Sequence, residues 1–285
     1  MALLLIPVMG VAVDADEVRS SSAARAQLER AGVAVTDLGD GFLECVMESK
    51  VLGRQELFSI HAPPGYSSDG AEPFPLVVFL HGRGRHHRSL IDAAATRAVL
   101  MRSPCVVLLP NGRDSWWIDS PVEPRSQYAS YLEELIRLVD DALNVSRDPS
   151  RRAVGGWSMG GFGSINYLIS HPRDFGAWGG ILALVDFPNA AYPPEHNHSV
   201  PAVFGQDPET FNPMRRAEAL RDHALFFVTG ADAFDRRMNE ALSARLWALD
   251  IEHEFEVVPG AHTFDVVVAA FPRVMDFFDT HARPD

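Results

Sequence analysis

Six short apolar runs, "PLVVFLH", "CVVLLP", "RRAVGGW", "WGGILALV", "ALFFVTG" and "HEFEVVPG", recur between residues 75 and 260 with little polar alternation. Runs of this length, rich in β-branched and aromatic residues, predict strands buried on both faces of a sheet. Helical spacing lies between most of them. "SQYASYLEELIRLVDDAL" sets Tyr128, Leu132, Leu135, Leu138 and Val139 on one stripe, and "FDRRMNEALSARLWALD" does the same with Met238, Leu242, Leu246 and Leu249. Ahead of them, "FLECVMES" and "QELFSIHAP" flank the turn "KVLGR" and predict a β-hairpin. Strands alternating with helices imply right-handed crossovers, hence a mostly parallel sheet with helices on both faces. Counting the antiparallel N-terminal hairpin, the α/β sheet has eight predicted strands.

The Pro- and His-rich stretch "DFPNAAYPPEHNHSVPAVFGQDPETFNP" breaks this rhythm and reads as an excursion over the carboxyl ends of the strands. The N-terminus does so differently. Its run "MALLLIPVMGVAVDADE" is too short to span a bilayer and has no leading positive charge. Two readings follow: a signal peptide with Val13 and Ala15 before the cut, or a buried strand leading into the helix "DADEVRSSSAARAQLERAG". Residues 1–40 are therefore set apart as an N-terminal extension, and residues 41–285 as one catalytic domain. A cytoplasmic location is the expectation, with a secreted or periplasmic one if the apolar segment is a signal. No internal repeat divides the rest.

Charge narrows the partners. The 38 acidic and 25 basic side chains give a net charge of -13, a field that repels a nucleic acid backbone. Lys50 is the sole lysine, leaving Schiff-base chemistry one candidate in a turn. Cys45 and Cys105 sit in strand-like runs without C-x-x-C spacing, which predicts buried thiols. The sequons at Asn144 and Asn197 carry little weight without a known compartment.

In open α/β sheets ligands gather where strands end. "AVGGWSMGGFGSINYL" places Gly156-Trp157-Ser158-Met159-Gly160, a G-x-S-x-G, between a strand-like and a helix-like run. The glycines allow a sharp turn that holds Ser158 on a strained backbone and aims the next helix's N–H groups at it. The plain alternative is a glycine-rich bend with a capping serine. A nucleophilic serine needs a base and the base an orienting acid. His262 follows the last strand in "FEVVPGAHTFD", and "FFVTGADAFD" offers Asp232 first and Asp235 second. Each has a capping alternative, yet Ser, Asp, His is the order α/β-hydrolases use. The loop "HGRGRHHRSL" then supplies a second oxyanion donor, the N–H of Arg83 or Gly84, beside that of Met159. His86, His87, His196 and His198 have no closing set of ligand spacing, so no metal and no cofactor is expected. Trp116 and Trp117, after "CVVLLP", are candidate pocket walls or core residues, and Gly82 and Gly84 candidate pocket residues.

These stretches resemble the esterase D or "putative esterase" family of α/β-hydrolases, which includes feruloyl and acetyl esterases, S-formylglutathione hydrolases and mycolyltransferases. "APPGYSS", "VVFLHGRG", "WSMGGFGSINYLISHPRDF", "FNP" at 211–213, "VTGADAFD" and "VPGAHTFD" carry the likeness, from about Gly41 to Phe278. It implies the α/β-hydrolase fold, Ser158 as nucleophile, Asp232 as acid, His262 as base, and Arg83 and Met159 as oxyanion donors. The chain departs from it in "RGRHHR", where relatives often carry smaller or apolar residues, and in its first forty residues. The expected activity is a serine carboxylesterase acting on small or medium acyl esters, including aryl- or sugar-linked ones. Its rivals are an acyltransferase using the same acyl-enzyme and a binding protein that has lost catalysis.

Overall fold

The structure, a computed structural model, describes residues 15–70, 72–189, 191 and 200–282. In chain order its elements are α1 (Ala15–Arg30), β1 (Ala34–Gly39), β2 (Phe42–Ser49), β3 (Arg54–His61) and β4 (Leu76–Leu80). Next come α2 (Ser89–Asp92), α3 (Ala94–Leu100), β5 (Val106–Pro110), α4 (Tyr128–Ala142), β6 (Arg152–Trp157) and α5 (Met159–Ser170). The chain continues through β7 (Ala177–Ile181), β8 (Ala224–Gly230), α6 (Arg236–Ala248), β9 (Glu254–Val258) and α7 (Phe264–His281). Short 3-10 turns fill part of the excursion between β7 and β8. The signal-peptide reading of the apolar N-terminus, and His196, Asn197 and His198, lie outside the described residues.

The strands form one sheet in the order β1-β2-β3-β5-β4-β6-β7-β8-β9. The β2–β3 hairpin is antiparallel, and β3 joins β5 the same way. From β5 to β9 every neighbour is parallel. Strands β4 to β8 are buried as expected. Strand β9, expected to be buried on both faces, is instead an edge strand with exposed and half-buried positions, because it has a neighbour on one side alone. The sheet has nine strands among the described residues rather than eight. The addition is β1, whose Ala34 to Asp37 pair antiparallel with Val46 to Leu43. As an edge strand with mostly exposed positions, it carries too little apolar alternation to declare itself. It falls within the forty residues set apart as an extension, and α1 packs on it.

Alternation along the central strands builds two cores. Leu76, Val78 and Leu80 of β4 face one side, with Leu132 and Leu135 of α4, Phe162 and Ile165 of α5, and Leu242 and Leu246 of α6. Val77 and Phe79 face the other, with Leu90 of α2, Leu100 of α3 and Phe271, Val274 and Phe278 of α7. Helices thus cover both faces, and a sheet fixed from both sides gives its carboxyl-end loops a rigid base.

Candidate active site

β6 ends at Trp157 and α5 begins at Met159, leaving Ser158 alone to reverse the chain. Its backbone sits at φ 53° and ψ -118°, where an L side chain is strained. Its N–H donates to the Ile181 carbonyl at 3.0 Å and its carbonyl accepts from Phe162 N–H at 3.0 Å, which helps hold the strained residue. The flanking glycines are needed for close approach. A Cβ on Gly160 would lie 2.0 Å from the Leu80 oxygen, and one on Gly156 would lie 2.5 Å from the Gly160 carbonyl carbon.

The His262 imidazole, carried by the loop after β9, reaches the serine, with Nε2 2.9 Å from Ser158 Oγ. Nδ1 lies 2.5 Å from Asp235 Oδ1. A proton on Nδ1 then donates to the carboxylate and leaves Nε2 free to accept from the serine hydroxyl. Asp235 itself is fully buried and saturated. Its Oδ2 accepts from Thr229 Oγ1 at 2.7 Å and from Asn239 Nδ2 at 3.0 Å. Asn239 also donates to the Ala183 carbonyl, which ties the acid to the loop after β7. Phe234 packs against the imidazole, with ring centroids 4.4 Å apart.

Asp232, the first-ranked acid, does not reach His262. Its backbone N–H donates to the Gly260 carbonyl, which binds the start of the loop to the neighbouring strand end and leaves the side chain exposed. The chain then turns inward, and Asp235 arrives just ahead of α6 with its carboxylate under the imidazole. A signal for this was present in the sequence. Asn239, one turn after Asp235, puts a polar side chain beside the apolar stripe of Met238 and Leu242, and a buried amide needs a partner.

The loop after β4 approaches from another side. His81 Nε2 accepts from Gly112 N–H at 2.8 Å, so Nδ1 carries the proton and donates to the Gly82 carbonyl at 2.8 Å. Burial pushes this imidazole down to about 4, which keeps it neutral. Gly84 N–H donates to Asp114 Oδ1 at 2.7 Å. Of the two amides considered after Gly82, that of Gly84 is therefore committed elsewhere. The Arg83 amide has no protein acceptor among the described residues. Met159 is the first residue of α5, so its N–H has no intrahelical acceptor and lies at the positive end of the helix dipole.

A cleft of about 160 Å³ opens on Ser158 and His262, bordered by Gly82, Arg83, Arg85, Trp157, Leu182 and Phe264. Neither Gly84 nor the tryptophan pair borders it. Trp116 is buried against Phe187, Phe204 and Phe162, at centroid distances of 4.8, 5.4 and 5.6 Å. Trp117 donates from Nε1 to the His81 carbonyl and fills the space beside Gly112 and Gly163. It also borders a separate cavity of about 300 Å³ next to Asn166 and Arg216. Two large indoles with so many apolar neighbours are more stable inside than walling a small polar cleft. The cleft's aromatic surface comes instead from Trp157, the second residue of the G-x-S-x-G, and Phe264, which opens α7.

A second serine–histidine pair lies at the amino end of β9. Ser243 Oγ, on α6, is 2.8 Å from His253 Nε2, and His253 Nδ1 donates to the Ile251 carbonyl. Among the described residues no carboxylate orients that imidazole, and the serine sits on ordinary helix. Among the described residues no group of three or more His, Cys, Asp or Glu side chains is placed to hold a metal ion. None of their helices is long and apolar enough to cross a membrane.

The chain is 24% identical over 255 residues to an esterase of Mycobacterium tuberculosis, covering 76% of this chain and 54% of that protein. It thus spans about half the length of the curated relatives it first matches. Among solved structures, a fluorophosphonate-binding serine hydrolase of Staphylococcus aureus superposes with a TM-score of 0.70 at 18% identity, covering 84% of this chain and 98% of that one. An S-formylglutathione hydrolase of Agrobacterium tumefaciens gives 0.70 at 18% identity, covering 88% and 99%. At such identities the superpositions show the α/β-hydrolase fold alone. The model of the family described as "Putative esterase" matches residues 49–275, most of the chain, and the protein belongs to that family.

Proposed function

We propose that the protein is a serine ester hydrolase acting on small or medium acyl esters through Ser158, His262 and Asp235. The observation that carries this reading is the continuous chain from buried Asp235 through the imidazole to the strained serine, at 2.5 and 2.9 Å.

His262 Nε2 takes the Ser158 proton as Oγ attacks the acyl carbonyl carbon. The tetrahedral oxyanion is held by the N–H groups of Met159 and Arg83, donors fixed before the reaction begins. Asp235 stabilises the imidazolium and keeps its tautomer. The bond from carbon to the alcohol oxygen breaks as His262 returns the proton to the leaving group. Water, deprotonated by the same nitrogen, then attacks the acyl-enzyme, and the serine leaves with the proton. His81 supports the sequence indirectly by bracing the Gly82 carbonyl, which shares one planar peptide group with the Arg83 amide.

The test is a panel of p-nitrophenyl esters graded by chain length, with the Ser158→Ala variant alongside. Turnover that depends on Ser158 supports the reading, and a variant that keeps the parental rate overturns it. Running the same assay with added alcohols and analysing the products separates hydrolysis from transfer of the acyl group to an alcohol, which would show as a new ester.

A further inference from the structure

Two arginines and no carboxylate border the cleft that holds Ser158. This contrasts with the rest of the molecule, where acids outnumber bases and the net charge is -13. It contrasts even within the same loop. Arg88 pairs with Asp92 at 2.9 Å and approaches Glu44 at 3.6 Å, while Arg113, after β5, pairs with buried Glu56. Arg83 and Arg85 have no such partner among the described residues. The Arg85 guanidinium instead lies over the Phe264 ring, its carbon 4.3 Å from the centroid. Stacking of this kind orients the planar group without neutralising it and leaves its edge N–H groups available. With Phe264 and both arginines bordering the same cleft as the serine, the positive charge stands at the mouth of the reaction site.

Charge left unpaired beside a nucleophile, on a molecule that otherwise repels anions, selects among substrates. Building on the hydrolase reading above, we infer that the substrate is an ester that itself carries an anionic group, such as a carboxylate, a few bonds from the scissile carbonyl. Arg85 is the principal recognition residue and Arg83 its neighbour. The anion can belong to the acyl part, as in a dicarboxylic half-ester, or to the alcohol, as in an acylated hydroxy acid. The chemistry of recognition is the same, a guanidinium donating two parallel N–H bonds.

Two pairs of substrates test this. The first is the mono-p-nitrophenyl ester of glutarate against the p-nitrophenyl methyl diester, with the charge on the acyl side. The second is para-acetoxybenzoate against its methyl ester, with the charge on the alcohol side. The readout is the ratio of kcat/KM for the charged to the neutral member, which a general weakening of the site does not move. In the parent the charged member is preferred in one pair, and that pair says which side bears the anion. The preference shrinks about fivefold in Arg85→Gln, the scale of one partly exposed charge pair. It inverts in Arg85→Glu and is restored in part by Arg85→Lys. It also declines between about 0.01 M and about 1 M salt, as the Debye length contracts from about 30 to about 3 Å. Ser158-dependent turnover with no preference for charge in either pair, or a ratio unmoved by Arg85→Glu, overturns the inference and leaves the hydrolase reading standing. If no ester in either pair is turned over, the hydrolase reading falls and this one with it.

Discussion

The two serine–histidine pairs are nearly identical as pairs and opposite in everything around them. Ser158 and His262 are 2.9 Å apart, and Ser243 and His253 are 2.8 Å apart. In both, the histidine's other nitrogen faces an oxygen, so both hold a proton on Nδ1 and accept at Nε2. The difference begins one atom further out. His262 leans on a fully buried carboxylate, His253 on the Ile251 carbonyl, which cannot match a full charge opposite a developing imidazolium. Ser158 stands on a strained turn at the start of a helix and borders a cleft, whereas Ser243 lies inside α6 with its N–H spent in the helix. A hydrogen bond between serine and histidine is common chemistry. What makes one a candidate nucleophile is the backbone beneath it and the charge behind it.

The sharpest way to break this contrast is to remove each serine in turn. Ser158→Ala is expected to lower ester turnover by about a millionfold, the scale of losing the nucleophile in a triad, with little change in melting temperature. Ser243→Ala is expected to stay within roughly twofold of the parent, as substitutions remote from a site usually do. Steady-state kinetics with one activated ester reads both.

The charge behind the base comes next. Asp235→Asn should cost about ten-thousandfold in kcat, because an amide can hold the imidazole in the wrong tautomer. Asp232→Asn, whose side chain is exposed on the same loop, should change the rate by less than about twofold. Comparable losses in both variants would erase the assignment of Asp235.

Stability separates the regions by pH. His81 belongs to the first region, and its folded pKa is near 4 against an ordinary value of 6.5, through burial. His61, buried at the end of β3, is pushed down to about 4 for the same reason. Between those values the unfolded chain binds protons that the folded chain refuses, so stability falls as pH drops from 6.5 toward 4 and is fully present above 6.5. Each histidine accounts for about 3 kcal/mol over that window. Chemical denaturation across the window checks the slope, and a flat profile contradicts the neutral, braced His81.

The smallest effect probes the support of the acid. Asn239→Ala leaves Asp235 Oδ2 with Thr229 alone and should cost about 1 to 3 kcal/mol of stability, the scale of a lost buried hydrogen bond to a charged group. Turnover should fall with it, by about tenfold, while Ser243 and His253 have no corresponding dependence. A variant that loses stability but keeps the full parental kcat would show that Asn239 shapes α6 without steadying the acid.

Where the sequence was legible, it was because one physical constraint left little choice. Strands buried on both faces must be continuously apolar, and all six such runs became parallel strands, although the last, β9, is an edge strand with exposed and half-buried positions rather than one buried on both faces. Ser158 was visible because only glycines tolerate the contacts at positions 156 and 160, and His262 because it follows the last strand. The choice of acid was not legible in the same way. Asp232 and Asp235 share one loop; the polar Asn239 one turn after Asp235 is the single local hint, and the rest depends on the Asp232 amide binding Gly260, a contact between strand ends that the local sequence does not encode. Trp116 and Trp117 stand after a strand, like the site residues, yet turn inward, because the space awaiting Trp116 is made by Phe162, Phe187 and Phe204 and that awaiting Trp117 by His81 and Gly163, all from elsewhere in the chain. Edge strand β1 escaped notice because pairing on one side asks little of its composition.

The most direct test of the central claim is covalent. Treated with diisopropyl fluorophosphate, whose fluoride leaves as a serine oxygen bonds to phosphorus, the protein should gain one adduct mass, mapped by peptide analysis to Ser158. The adduct should form in Ser243→Ala at the parental rate, form far more slowly in Asp235→Asn, and be missing in His262→Ala. An adduct on another serine, or labelling of Ser158 that proceeds equally fast without His262 and Asp235, would contradict the account.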